Sequence, residues 1–128
     1  MVKAQYRGFN MLLVGIFILA GLGALLRFGL HNYSGGDGWS VGVLVANVIG
    51  SAAIGYVLTQ PQWLTSLSPH ATKMVAIGFL GALTTFSSYS VDVVSAFTSG
   101  NMLKAASLFV GHNVLAISAC LLTYRFAA

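Results

Sequence analysis

The sequence predicts an all-α membrane protein, a single domain of four transmembrane helices with the third helix broken. Three observations carry that expectation. Of the 128 residues, 57% are hydrophobic and only 6% charged, far from the quarter or so of charged residues usual in soluble domains. Apolar runs of the roughly 20 residues needed to cross a bilayer recur along the whole chain. The third run also holds a cluster of small and hydroxyl residues, Gly-Phe-Leu-Gly-Ala-Leu-Thr-Thr-Phe-Ser-Ser-Tyr-Ser-Val-Asp, from Gly78 to Asp92. Irregular polar backbone at membrane depth persists only where protein buries it or where it lines a cavity.

The spans fall at about 9–30, 41–59, 72–97 and 102–126. Their connections are short. His31 to Ser40 carries Asn32, Gly35, Gly36, Asp37 and Gly38, Gln60 to Ala71 carries Pro61 and Pro69, and Ser99, Gly100 and Asn101 form the last turn. Tyr33, Trp39, Trp63 and Tyr124 lie near span ends, where amphipathic rings favour the headgroup region. Lys3 and Arg7 precede the first span as they would a secretory signal. That apolar run outlasts the 7–15 residues of a signal core and lacks a clear cleavage pattern, so it reads as a mature helix.

The net charge of +4 is scattered and forms no nucleic-acid patch. The single cysteine, Cys120, has neither a disulfide partner nor neighbouring ligands, and reads as a packing residue. With four spans, Lys3, Arg7, Lys73 and Arg125 share one side, and Arg27 and Lys104 lie toward the other. Positive residues favour the cytoplasm, which puts both termini inside. The bias is weak once Arg27 is set within the membrane, and so small a bias permits insertion in both orientations, hence an antiparallel, dual-topology homodimer. Size separately points to an oligomer, because four helices barely enclose a polar pathway while keeping an apolar exterior. Gly42, Ala46 and Gly50, with Ser51 and Gly55 adjoining, form a small-residue stripe that lets helices approach closely. Ordinary packing explains the stripe fully.

Polar residues inside the spans are costly unless paired or facing water, and they are few. Asn47 lies midway along the second span, where it serves either as an interhelical hydrogen bond or as part of a pathway. Arg27 either snorkels or faces a vestibule and attracts anions. His112, beside Asn113 in the fourth span, reads as a hydrogen-bonded packing residue in preference to a titrating switch. In the third span an interruption at the Gly-Ala and Thr-Thr run leaves two half-helices. The upstream half ends in free carbonyls suited to a hard cation such as Na⁺, and the downstream half begins with free amides suited to an anion. Gly81 is expected to supply the unusual backbone angles of the break. Downstream, Phe86 and Tyr89 share a helical face, as do Ser88, Asp92 and Ser95. The positive edge of an aromatic ring attracts an anion without trapping it.

These residues carry a resemblance. The Gly78 to Asp92 run resembles the third-helix signature of the Fluc fluoride channel family, also called CrcB. Gly23-Ala-Leu-Leu-Arg27-Phe resembles that family's first-helix motif, Val45-Ala-Asn47-Val-Ile-Gly50-Ser its second, and Gly100-Asn101 precedes a fourth helix with His112. The resemblance covers nearly the whole chain. It implies an antiparallel homodimer in the bacterial cytoplasmic membrane, with two pores that conduct fluoride passively out of the cell and so relieve its toxicity. It further implies that Phe86 and Tyr89 are the aromatic sites flanking the pore, Asn47 the pore amide and Arg27 the vestibule cation. Ser87, Ser88 and Ser90 would form a hydroxyl track, with Asp92 adjoining. The backbone carbonyls of Gly81 and Thr84 from both subunits would hold a structural Na⁺. Three positions depart from the pattern: Tyr89 stands where relatives commonly have Phe, Asp92 where they usually have Glu, and Ala116 where a hydroxyl is frequent.

Uncharged donors suit conduction, which needs sites favourable enough to enter yet weak enough to leave. The main alternative, a small dual-topology multidrug or cation exporter, needs a carboxylate in a membrane cavity. Asp37 lies in a loop, and Asp92 is the one acidic residue in a span, beside hydroxyls unlike an aromatic drug cavity. No metal-ligand spacing, nucleophile motif or paired carboxylates support an enzyme.

Overall fold

The structure is a computed structural model and describes residues 2–33, 41–68 and 70–127, with the side chains of residues 2–5 and 7 outside the description. Trp39, Asp37, the glycines between them and Tyr33, and Pro69 therefore lie outside the described residues, as do the side chains of Lys3 and Arg7. Every described element is helical: α1 (Val2–Tyr33), α2 (Val41–Val57), α3 (Gln62–Leu67), α4 (Ala71–Lys73), a π-helical segment (Met74–Leu80), α5 (Gly81–Leu83), α6 (Phe86–Thr98) and α7 (Met102–Ala127).

Three stretches are long and apolar enough to cross a membrane: Gly8–Tyr33, Ala71–Thr98 and Met102–Ala127, with mean hydropathies of 2.4, 1.4 and 1.8. The lowest value belongs to the third span because the hydroxyls are there. Helix α2 has 17 residues, about 26 Å at the usual rise per residue, slightly short of a bilayer core. It ends in a tight turn, where Leu58 and Thr59 still bond to Ile54 and Tyr56 and Gln60 adopts a φ of 53°. The segment expected to be a loop then forms the short helix α3. It buries Leu64, and the Trp63 indole donates to the Tyr56 hydroxyl at 2.9 Å.

Helix α2 packs chiefly on α7, α1 packs on the π-helical segment and α5, and α6 packs on α7. The small-residue stripe is used within the subunit. Gly42, Ala46, Gly50 and Gly55 are all buried. A Cβ at Gly42 would meet the Leu30 carbonyl, and one at Gly55 the Cys120 carbonyl and Thr123 hydroxyl. Thr123 also donates across to the Ala52 carbonyl at 2.7 Å, tying α7 to α2.

Two close approaches position the break in the third span. Gly23 of α1 lies so near the Phe79 carbonyl that a Cβ there would collide with it. The π-helical turn widens the chain at this point, so that the Gly81 amide reaches back five residues to the Ala76 carbonyl. Gly50 of α2 lies directly against the Thr84 methyl. The interruption itself falls at Thr84 (φ −81°, ψ 152°) and Thr85 (φ −150°, ψ 123°). Gly81 is helical (φ −64°, ψ −32°), which corrects the expectation that glycine supplies the unusual angles. The break is extended, not left-handed, and β-branched threonine favours extended backbone.

Candidate functional site

An open cavity of about 270 Å³ lies where the break meets α2 and α7, with Asn47, Thr84, Thr85, Phe86, Tyr89 and Asn113 among its lining residues. Its construction begins with Asn47. The Thr85 amide donates to Asn47 Oδ1 at 2.8 Å, and Asn47 Nδ2 donates to the Thr85 carbonyl at 3.1 Å. One side chain from α2 thus replaces, for a single residue, both hydrogen bonds that a continuous helix would have supplied.

The ends of the two half-helices are served in different ways. Thr85 caps α6, its hydroxyl accepting from the Ser88 amide at 3.2 Å and lying 3.0 Å from the Ser87 hydroxyl and 3.3 Å from the Ser88 hydroxyl. Upstream, Arg27 Nε donates to the Ala82 carbonyl at 3.1 Å, placing a cation on a helix C-terminus where it complements the dipole. The amides that an unbroken helix would turn toward the Gly81 and Thr84 carbonyls are those of Thr85 and Ser88. They go instead to Asn47 Oδ1 and Thr85 Oγ1. Two carbonyls are thereby released from the helical ladder at one end of the break.

Phe86 and Tyr89 meet edge to face, with centroids 5.3 Å apart at 64°. Their surroundings differ sharply. Phe86 is 77% exposed and Tyr89 only 5%, because Tyr89 is enclosed by α7. Its ring lies 4.7 Å from that of His112, tilted at 37°, and its hydroxyl accepts from Asn113 Nδ2 at 3.0 Å. His112 is itself buried, with Nδ1 3.0 Å from the Leu108 carbonyl.

The structure brings Asn47, Thr84, Phe86 and Tyr89 to one cavity and leaves Arg27, Gly81, Ser87, Ser88, Ser90 and Asp92 outside its lining. Arg27 and Ser88 share a separate, smaller cavity of about 160 Å³ with His31. The Ser90 hydroxyl donates to the Phe86 carbonyl at 2.8 Å. Asp92 Oδ2 is buried without a hydrogen-bond partner among the described residues. Two contributors, Thr85 of the Thr-Thr run and the in-span Asn113, were given no site role from sequence. Thr85 carried a signal, a hydroxyl three residues before Ser88 at a helix start. Asn113 carried a weaker one, as an amide inside an apolar span.

Comparison with known proteins matches this architecture over most of its length. Residues 14–124 match the family model described as "CrcB-like protein, Camphor Resistance (CrcB)". The chain belongs to the CrcB family. Among CrcB relatives, a protein of Roseiflexus named "Fluoride-specific ion channel FluC" is 40% identical over 101 residues, 77% of this chain and 81% of the relative. Proteins with the same name in Polynucleobacter asymbioticus and Francisella philomiragia are 38% and 31% identical, covering 80% and 91% of this chain and 83% and 95% of their own. With its apolar helices, this CrcB chain is a multi-pass bacterial membrane protein.

Proposed function

We propose that the chain is the subunit of a fluoride-specific channel that lets fluoride leave the cell passively. One observation carries the reading: the Asn47 clamp opens the third helix beside a cavity lined by neutral donors and aromatic rings. Fluoride is small and strongly hydrated, so a pathway must offer hydrogen-bond donors in succession, and neutral donors release the ion where fixed cations would hold it. Asn47, Phe86 and Tyr89 form the central part. Ser87, Ser88 and Ser90, with Asp92, continue it along α6, and Arg27 raises the local anion concentration at its mouth.

The cavity is open on one side, and Phe86 stands largely uncovered beside it. A second copy in the opposite orientation closes both, giving an antiparallel homodimer with two pathways. The carbonyls of Gly81 and Thr84, freed from helical partners, suit a hard cation. With those of the second copy they would hold a structural Na⁺, which supplies fixed positive charge at the dimer centre and is not transported. The named relatives, all fluoride-specific ion channels, favour this reading over a multidrug exporter.

Fluoride efflux from liposomes containing the purified protein, compared with chloride, tests it. The parent is expected to release fluoride rapidly and chloride negligibly, with Asn47→Asp and Phe86→Ile each lowering the fluoride rate at least about tenfold. A parent without fluoride flux overturns the function, and unaltered rates in both variants overturn the site.

A further inference from the structure

The hydrogen bonds around Tyr89 settle where its own proton is free to go. Asn113 Nδ2 lies 2.7 Å from the Phe109 carbonyl and 3.0 Å from the Tyr89 oxygen. A carbonyl only accepts, so the group beside Phe109 must be the amide NH₂, and its second hydrogen points to Tyr89. An amide nitrogen does not accept, so the Tyr89 oxygen uses a lone pair here and keeps its hydrogen. That hydrogen has no acceptor among the described residues. Tyr89 is 95% buried by its 5% exposure, in the same cavity as Asn47. Phenol hydroxyls lie near the ring plane, so a donor on one side turns the hydrogen to the other.

The neighbouring polar group, His112, steadies the phenol. His112 Nδ1 faces the Leu108 carbonyl, which only accepts, and therefore donates to it. Nε2 is buried and has no partner among the described residues. The His112 ring against that of Tyr89 fixes the plane of the phenol. The bond accepted from Asn113 polarises the Tyr89 O–H and makes it a better donor.

We infer that Tyr89 recognises the permeating anion through its hydroxyl proton, and that Asn113 is a positioning residue that aims it. This rests on the proposed fluoride conduction. A concentrated charge gains more from a short O–H donor than a diffuse one, so the device discriminates fluoride from chloride. Asn113 acts only through Tyr89.

The experiment is liposome flux measured against fluoride concentration, with chloride flux in parallel, for the parent, Tyr89→Phe, Asn113→Leu and the double variant, each checked as monodisperse by gel filtration. Tyr89→Phe keeps the ring and is expected to raise half-saturating fluoride about tenfold, the loss of one hydrogen bond to a charged group, and to lower the fluoride-to-chloride ratio. Asn113→Leu is expected to raise it about threefold in the parent and not at all in the Tyr89→Phe background. Unchanged half-saturation in Tyr89→Phe overturns the inference while leaving the channel reading intact. Equal effects of Asn113→Leu in both backgrounds overturn the positioning role. If Tyr89→Phe is not monodisperse, Asn113→Leu alone decides, since it leaves the ring in place. A parent with no fluoride flux overturns both readings together.

Discussion

The two halves of the third span lie end to end yet are held by opposite means. From Met74 to Leu83 the upstream half carries no polar side chain. It binds α1 by backbone proximity, with Gly23 against the Phe79 carbonyl and Gly78 against Ile16. The downstream half, Phe86–Thr98, carries four serines, Tyr89 and Asp92 and packs on α7. A continuous helix would have carried both sets of demands on one rigid axis. The break lets a dry, closely packed segment and a polar, cavity-lining one each turn to the neighbour that suits it.

The link between the halves should be the easiest place to break the comparison. Asn47→Leu removes both bonds to Thr85 and leaves its partly buried amide and carbonyl unpaired. We expect a loss of about 3 kcal/mol, read as a large drop in the thermal unfolding midpoint in detergent, together with loss of fluoride flux. A variant with the parent's midpoint and flux would show that the break holds itself open without α2.

The upstream half should respond next. Gly23→Ala forces a methyl group into the Phe79 carbonyl, an overpacking cost of about 2 kcal/mol. The midpoint should fall and the fluoride half-saturation should stay as in the parent, because neither Gly23 nor Phe79 lines the cavity. A changed half-saturation would mean that the halves are mechanically coupled and that their separation is only apparent in the packing.

Much of this division was legible in the sequence. Composition and the lengths of the apolar runs marked the helices, because a bilayer imposes both. The hydroxyl cluster marked the break, because lipid leaves few reasons for it. What was not legible depended on contacts across the fold. Gly81 was expected at the interruption as the residue with the freest backbone, yet the π-helical turn keeps it helical and Thr84 and Thr85 take the extended angles. Asn47 was equally readable as helix glue or pathway residue. Its two bonds to one backbone residue 38 positions away are a tertiary fact. The stripe of Gly42, Gly50 and Gly55 reads as an association surface in isolation. Only the packed chain shows it occupied by Leu30, Thr84 and Cys120.

The downstream half is more lightly secured. Thr85→Val keeps the β-branched preference for extended backbone but removes the hydroxyl that caps α6 through the Ser88 amide. A loss of about 1 kcal/mol is expected. Thr85→Ser should restore most of it, since serine caps as well as threonine. If serine lowers the midpoint and valine does not, the methyl and not the hydroxyl matters.

The smallest effect sharpens the comparison by holding the chemistry constant. Gly21 and Gly23 are two residues apart on α1, but nothing lies within 4 Å of a Cβ placed at Gly21. Gly21→Ala should therefore shift stability by less than about 0.5 kcal/mol, the range of substitutions that touch nothing. Set beside Gly23→Ala, it separates the general effect of a methyl group on a membrane helix from the contact with Phe79. Because the space around Gly21 is that of one subunit, the same variant also reports on assembly. A fall in midpoint that grows as protein is concentrated would place a second copy against this face of α1, whereas a concentration-independent shift near zero leaves it to lipid.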